Sequence, residues 1–186
     1  MLRFGLSGTN WTRKTTTIGS LIPRLAPATV DSVSLSQLVA KSPHPMRENQ
    51  TVEASRWMIA QVRSVIGSGP AFDVQVFDRT PLDIMAFTRY AIDRSREPNG
   101  AHVLDDVAEL SAGFDVIFFC RPQGEWPSPV APSEELRHFA LLVDGLMESS
   151  VSMMRAPVVT LPWDAGERLN TILGWLREYR ARSGKA

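Results

Sequence analysis

The residues of this chain best suited to chemistry are Lys14 and Thr15, which close the stretch GTNWTRKT at residues 8–15. The stretch fits the phosphate-binding pattern G-x-x-x-x-G-K-[ST] from Gly8 onward, except that Arg13 occupies the position of the second glycine. In such a loop, backbone N–H groups hold phosphates, the lysine reaches the β- and γ-phosphates, and the hydroxyl binds Mg²⁺. The sequence therefore predicts a nucleotide site with one departure from the pattern.

Arg13 leaves two interpretations open. A glycine there allows close approach of the backbone, so the arginine either points outward or adds positive charge beside the phosphates. A third interpretation is an ordinary Thr-rich turn between a strand and a helix. An apolar strand at residues 2–7 and a helical pattern at 15–25 favour the phosphate loop. The residues expected to bind the nucleotide are Gly8, Thr9, Asn10, Trp11, Thr12, Arg13, Lys14, Thr15 and Thr16.

A second polar cluster follows the alternating stretch FDVQVFD at residues 72–78. Asp78 at its end can accept a proton from an attacking hydroxyl or hold Mg²⁺ through water. Arg79 can clamp a phosphate or orient a phosphoryl acceptor. In the alternative interpretation, Asp78 caps the next helix and Arg79 is its exposed partner.

Short apolar runs alternate with longer helical patterns along the chain. Strands are predicted at residues 2–7, 28–34, 72–78, 114–120 and 157–162, and helices at 15–25, 35–41, 51–66, 81–95, 102–111, 133–154 and 164–183. We expect Pro23 to end or kink the first helix, and Thr80 with Pro81 to open the fourth. This alternation predicts an α/β fold: a five-stranded parallel sheet with helices on both faces. Ligands bind at the carboxyl ends of such strands, which singles out the loops after Ser7, Phe77 and Cys120.

Composition bounds the protein class. The 186 residues suit one domain, and 44% hydrophobic residues can fill a core without disulfides. The single cysteine, Cys120, fits a cytoplasmic protein, and neither a membrane span nor a signal peptide is expected. Lys+Arg and Asp+Glu balance at 20 each, which favours a small-molecule enzyme or a protein-binding module. Arginine outnumbers lysine, so a local groove for DNA stays open.

Three stretches, GTNWTRKTT, FDRTPLDIMAF and IFFCRP followed by PSEELRHFALLVDGLM, carry a resemblance to a known group. In order and layout the chain resembles the P-loop nucleoside and nucleotide kinases, most closely the AAA-type ATPase/kinase family that includes nicotinamide-riboside-kinase-like domains. The resemblance covers most of the chain in layout, whereas the motif matches are short. It implies a three-layer P-loop NTPase fold over residues 1–186, with ATP and Mg²⁺ as cofactors.

The resemblance also implies roles for individual residues. Lys14 and Thr15 bind ATP phosphates and Mg²⁺, Asp78 serves as general base or metal-positioning carboxylate, and Arg79 contacts the acceptor. The loop 121–137 is expected to be a lid, with Arg121 or Arg137 over the transferred phosphoryl group. A proline-rich loop can close over a site and keep water out, although a rigid surface connection is an equal alternative.

The acceptor is expected to bind in an insertion at residues 41–68, between the second and third strands. There Trp57 stacks on a base while Glu53 or Arg56 reads its edge. The alternative for Trp57 is a core position on an amphipathic helix.

These observations favour ATP-dependent phosphoryl transfer to a nucleoside- or nucleotide-like acceptor, with a modified base in DNA as a further option. The alternative is a nucleotide-binding regulatory module, or an NTPase with little kinase activity, which the arginine at position 13 keeps open. The sequence also leaves a homodimer open.

Overall fold

The computed structural model describes residues 1–68, 71–95, 100–123, 126 and 133–183. The strands are β1 Leu2–Ser7, β2 Val30–Ser34, β3 Val74–Asp78, β4 Val116–Cys120 and β5 Val158–Leu161. The helices are α1 Lys14–Leu21, α2 Leu35–Val39, α3 Val52–Gly67, α4 Pro81–Ser95, α5 Ala101–Ser111, α6 Glu134–Ser150 and α7 Ala165–Ser183. Short 3₁₀ turns lie at Ile22–Leu25, Arg47–Asn49 and Val151–Met153.

The predicted elements are present, and their ends differ from the prediction by a few residues. The first helix is shorter than expected: α1 ends at Leu21, and the chain continues as the 3₁₀ turn that contains Pro23. Proline lacks the N–H group that would continue the α-helical ladder, so the tighter turn replaces the last helical turn. Thr80 caps α4 as predicted, since its Oγ1 accepts a hydrogen bond from the Leu82 N–H at 3.1 Å.

All five strands are parallel and lie in the order β2-β3-β1-β4-β5. The fold class predicted from the alternation of strands and helices is therefore confirmed. The order reverses at β1, because β2 lies beyond β3 on one side and β4 lies on the other. In open α/β sheets a crevice forms at such a reversal, at the carboxyl ends of the strands. The loops after β1, β3 and β4 border that crevice.

Side chains alternate between two cores, one on each face of the sheet. Phe77, Ile117 and Phe119 pack against α3, α4, α5 and α6. Phe4, Val76 and Phe118 pack on the other face against α1 and α7. Because β4 is buried along its whole length, its sequence is a continuous apolar run rather than an alternating one. β1 is equally buried, although it includes Arg3 and Ser7. Among the described helices, none combines the length and the apolar surface that a bilayer span demands.

Gly5 allows β1 and the start of α4 to approach closely. A Cβ atom built on Gly5 would lie 2.5 Å from Cγ2 of Thr80 and 2.8 Å from Cβ of Phe77. The Ser7 and Thr80 hydroxyls, both fully buried, are hydrogen-bonded to each other across this contact. The close approach therefore fixes α4 against the strand that leads into the crevice.

We predict that Gly5→Ala lowers the free energy of unfolding by about 1–3 kcal/mol, because the added methyl overpacks a rigid junction. Gly174→Ala is the matched control, because a Cβ there meets nothing within 4 Å. That substitution, inside α7, should raise the free energy of unfolding by about 0.5–1 kcal/mol through helix propensity. Urea denaturation measures both. Equal stability of Gly5→Ala and wild type would contradict the close approach.

Candidate functional site

Two cavities open at the carboxyl ends of the strands and share a wall. The first, here called the loop cavity, has a volume of about 290 Å³ and is lined by residues 10–16 with Ser36, Asp78 and Arg79. The second, here called the apolar cavity, has about 280 Å³ and lies between α2, α3, α4 and α6. Both cavities are lined by Asn10, Trp11, Ser36 and Arg79. A ligand in one cavity therefore contacts residues that also face the other.

The β1–α1 loop, residues 8–13, has an unusual backbone. Gly8 has φ 145°, and a Cβ atom there would lie 2.2 Å from the Cys120 carbonyl oxygen, so only glycine fits. Trp11 and Arg13 have φ values of 60° and 61°, in the left-handed region. A residue with a side chain loses roughly 1–2 kcal/mol in that region. Surrounding contacts must therefore stabilise the loop in this form.

Arg13 takes the backbone conformation that the missing glycine would favour, and its side chain points outward. The side chain is exposed, and its Cζ lies 4.9 Å from the centre of the Trp163 ring. Two positions were left open for this side chain, outward or beside the phosphates. The structure shows the outward one, in which the guanidinium stacks on the Trp163 indole.

Lys14 lies inside the loop, although its side chain is an ammonium. Nζ donates to the Thr9 carbonyl oxygen at 2.6 Å and to Oγ1 of Thr12 at 3.2 Å. Burial, together with the nearby Arg79 guanidinium, lowers the pKa of Lys14 to about 8. An anion in the loop cavity would offset both effects and favour the charged form.

Thr15 and Asp78 face each other across the loop cavity. Oγ1 of Thr15 donates to Oδ2 of Asp78 at 2.6 Å, and both residues line the cavity. Hydroxyl and carboxylate oxygens are the donors that Mg²⁺ prefers, usually with only one or two protein ligands beside substrate phosphates. Across the described ranges, no cluster of three or more His, Cys, Asp or Glu side chains could hold a metal alone. The donor set therefore fits Mg²⁺ bound together with a phosphate ligand.

Arg79 occupies the wall between the cavities. It has φ 78°, and its Nη1 donates to Oδ1 of Asp83 at 2.9 Å while Nη2 donates to Oδ1 of Asn10 at 2.8 Å. The Arg79 side chain is mostly buried. The alternative interpretation, in which Arg79 is an exposed partner of Asp78, therefore does not describe this side chain. Its ion pair is with Asp83, one turn further along α4.

Asp83 is a buried residue of the candidate site that sequence reasoning missed. Its carboxylate is 3% exposed, and besides Arg79 it accepts the Thr80 N–H at 2.9 Å. It also lines the apolar cavity. The signal in the sequence was the i,i+4 spacing from Arg79 in the first helical turn, where a carboxylate is favoured.

The two arginines assigned to the lid lie away from the loop cavity. The Arg121 guanidinium donates to Oδ2 of Asp144 at 2.7 Å and also pairs with Glu148, both on α6. These carboxylates raise the pKa of Arg121 and hold its side chain against α6. Arg137 is exposed in the first turns of α6, and neither arginine lines either cavity.

Much of the expected lid lies outside the described residues, at 124–125 and 127–132, so the lid remains a prediction. Trp126 in the same loop is described and is buried. Its Nε1 donates to the Asn10 carbonyl oxygen at 3.2 Å, and its ring centre lies 6.2 Å from that of Trp11. This loop therefore contacts the β1–α1 loop through an indole rather than a guanidinium.

Of the four residues assigned to the acceptor, Arg79 lines both cavities, whereas the three on α3 lie outside them. Glu53 and Arg56 pair with each other on the exposed face of α3, with Nη1 and Oε2 3.1 Å apart. Trp57 packs against the core, which agrees with its alternative interpretation. The α3 residue that lines the apolar cavity is Met58, because the apolar face of the helix is turned inward.

The apolar cavity has aliphatic and aromatic walls with polar groups at its ends. Its apolar lining consists of Leu35, Val39, Met58, Ile84, Phe87, Leu136 and Phe139. Arg47, Glu48 and Gln50 line one end. That end is fixed by α4, since Tyr90 Oη and Arg94 Nη1 both donate to the Glu48 carbonyl oxygen. The predicted region 41–68 thus contributes to the wall, through residues other than those expected.

We predict that Arg13→Gly is more stable than Arg13→Ala by about 1 kcal/mol, because both lose the Trp163 contact but only glycine adopts the left-handed conformation without strain. Paired urea denaturation curves measure this difference. If the alanine variant were as stable as the glycine variant, the left-handed backbone at residue 13 would be wrong.

Solved structures with the same fold include two of deoxyadenosine kinase from M. mycoides. The structure with the products dCMP and a flexible dCDP bound has a TM-score of 0.67 and 15% sequence identity, covering 96% of this chain and 100% of that one. The structure with bound dATP has a TM-score of 0.63 and 14% identity, covering 95% and 100%. No family model and no curated protein sequence matches the chain. These likenesses establish the three-layer P-loop NTPase fold, whereas the narrower grouping with nicotinamide-riboside-kinase-like domains remains a prediction.

Proposed function

We propose that the protein is a kinase that transfers the γ-phosphoryl group of ATP, with Mg²⁺, to a nucleoside- or nucleotide-like acceptor. The observation that carries this proposal is the pair of cavities with a common wall at Asn10, Trp11, Ser36 and Arg79. Phosphoryl transfer is mostly a matter of positioning and charge stabilisation, so donor and acceptor sites must adjoin. The likeness in fold to kinases with bound nucleotides supports the same assignment.

On the donor side, the β1–α1 loop holds the phosphates of ATP. Lys14 exchanges its bonds to Thr9 and Thr12 for phosphate oxygens, and the first turn of α1 adds the favourable end of a helix dipole. Thr15 and Asp78 hold Mg²⁺, which neutralises charge on the phosphates when bound.

On the acceptor side, a nucleobase packs against the aromatic wall of the apolar cavity. Phe87 and Phe139, whose ring centres lie 6.1 Å apart, form that wall together, and polar groups at Arg47, Glu48 and Gln50 are available to the edge of the base. The balanced charge of the chain favours a free nucleoside or nucleotide over a base in DNA.

In the transfer step, an acceptor oxygen attacks the γ-phosphorus while the bond to the bridging β–γ oxygen breaks and ADP leaves. Arg79 in the common wall stabilises the charge on the transferred group. An acceptor hydroxyl also loses its proton, which passes to an oxygen of the transferred phosphoryl group and from there to solvent water. Asp78 is bonded to Thr15 within the loop cavity, a placement that favours its metal-holding role over that of a general base.

We predict that Lys14→Ala weakens binding of ATP with Mg²⁺ by about 10- to 100-fold, because a hydrogen bond between charged groups contributes about 1.5–3 kcal/mol. Lys41→Ala, which removes an exposed lysine outside both cavities, is the matched control. Since bound polyphosphate favours the ammonium form, wild-type affinity should fall by about tenfold from pH 7 to pH 9, as the pKa of free Lys14 is passed. Calorimetric titration measures both effects.

The calorimetric titration, followed by transfer assays, distinguishes the kinase from the regulatory module. Saturable binding that depends on Lys14, followed by transfer to labelled nucleosides or nucleotides, supports the kinase. Binding with no transfer to nucleosides, nucleotides or DNA supports the regulatory module instead. Absence of ATP binding by the wild type would sink both assignments.

We further predict that Asp78→Asn binds ATP almost as the wild type does in the absence of Mg²⁺ but transfers phosphate about 100-fold more slowly. Because Asp78 holds the metal, the Mg²⁺ concentration for half-maximal rate should rise. Asp106→Asn breaks an exposed ion pair with Arg63 and is the control. An unchanged Mg²⁺ requirement together with the slower rate would move Asp78 back to the role of general base.

A further inference from the structure

Arg168 on α7 is the largest of the fully buried side chains, and it lies directly behind the β1–α1 loop. Its Nε donates to the Pro162 carbonyl oxygen at 3.0 Å, and Nη1 donates to the Thr12 carbonyl oxygen at 2.8 Å. The same Nη1 reaches Oγ1 of Thr17 at 3.4 Å. These hydrogen bonds join α7 to the β1–α1 loop.

These bonds fix the peptide groups on both sides of Arg13. Arg168 binds the Thr12 carbonyl oxygen directly, while Thr17, bonded to Arg168, donates its hydroxyl to the Arg13 carbonyl oxygen at 2.8 Å. The dihedral angles of Arg13 are the rotations between those two peptide groups. Holding both groups therefore maintains the left-handed backbone that an arginine would otherwise leave.

The same contact orients a donor for an anion. In a trans peptide the N–H group points opposite to the carbonyl oxygen. Because the Thr12 carbonyl is turned toward buried Arg168, the Arg13 N–H points away from Arg168. Arg13 lines the loop cavity, so we infer that this N–H is a donor for a phosphate oxygen there.

The buried positive charge of Arg168 also has an unusual environment. Among the described residues, it forms no ion pair with a carboxylate, and its Nη2 is buried without a hydrogen-bond partner. A buried cation without a counter-ion destabilises a fold unless a bound group compensates it. An anion held in the loop cavity supplies that compensation across the loop.

We propose that Arg168 is a positioning residue for polyphosphate: it holds the loop around Arg13 in its binding conformation and places behind the loop a positive charge that contacts the Trp163 ring but pairs with no carboxylate among the described residues. This inference rests on the proposed function, in that it assumes that the loop cavity binds phosphates. The inference gives α7 a role in supporting the β1–α1 loop, which the phosphate-binding pattern of residues 8–15 does not include.

The test is the affinity for tripolyphosphate with Mg²⁺, a probe with no base, measured by calorimetry. We expect Arg168→Met to weaken binding by at least about tenfold, since a charge and an orienting hydrogen bond are both lost. Arg168→Lys keeps the charge but lacks the planar fork of donors, so its affinity should lie between those of the wild type and the methionine variant.

Arg3→Met is the matched control. Arg3 is also buried and donates to backbone carbonyl oxygens, of Gly113 at 2.8 Å and Ile66 at 3.3 Å, but at the opposite end of the sheet. Its loss should lower thermal stability while leaving tripolyphosphate affinity within about twofold of wild type, as expected of a distant site.

A double variant separates positioning from general stability. Glycine takes the left-handed conformation without strain, so Arg13→Gly in the Arg168→Met background should recover several-fold of the lost affinity. Recovery of this kind would not follow if Arg168 only stabilised the fold.

Folded Arg168→Met with wild-type affinity would overturn the inference while leaving the proposed function intact. If that variant does not fold, Arg168→Lys decides, because wild-type affinity there would exclude the orienting role of the guanidinium. Failure of the wild type itself to bind tripolyphosphate or ATP would overturn the proposed function and this inference together.

Discussion

The candidate site depends on one buried carboxylate, Asp83, which joins the three elements around the crevice. It pairs with Arg79 at the end of β3, accepts the N–H of Thr80 at the start of α4, and lies 3.5 Å from the N–H of Gly8 after β1. A buried ion pair is stabilising only when its remaining hydrogen-bonding capacity is also satisfied, as it is here by backbone N–H groups. This arrangement sets Arg79 between the two cavities.

The conformation of the β1–α1 loop is maintained without the second glycine of the phosphate-binding pattern. What such a loop requires is a left-handed backbone at that position, and glycine is the least costly way to obtain it. Here Arg13 takes the conformation, its side chain stacks on Trp163, and Arg168 holds the adjoining peptide. Local strain is thus balanced by contacts with Trp163, which follows β5, and with Arg168 on α7, both far from the loop in sequence.

The sequence was sufficient to predict what depends on neighbouring residues. Apolar runs and helical periodicity identified the strands and helices, and the parallel sheet followed from their alternation. Local motifs singled out Lys14 and Thr15 at the start of α1 and Asp78 and Arg79 at the end of β3, and the structure brings all four together around the loop cavity.

What could not be predicted depends on distant contacts. Arg168 meets Thr12 across 156 positions of the chain, a contact for which no local pattern exists. The choice between Glu53 and Met58 as a cavity residue required knowing which face of α3 packs inward. The pairing of Arg121 with Asp144 and Glu148 also joins residues far apart in the sequence, so no local pattern indicated that this side chain lies against α6.

The common wall has a consequence for the design of synthetic ligands. Two ligands that bind on either side of Arg79 can be joined by a short linker without leaving their cavities. A joined molecule loses its translational freedom once instead of twice, so its affinity exceeds that of either half by a factor set by the linker. The wall formed by Asn10, Trp11, Ser36 and Arg79 thereby allows one bivalent compound to reach both cavities.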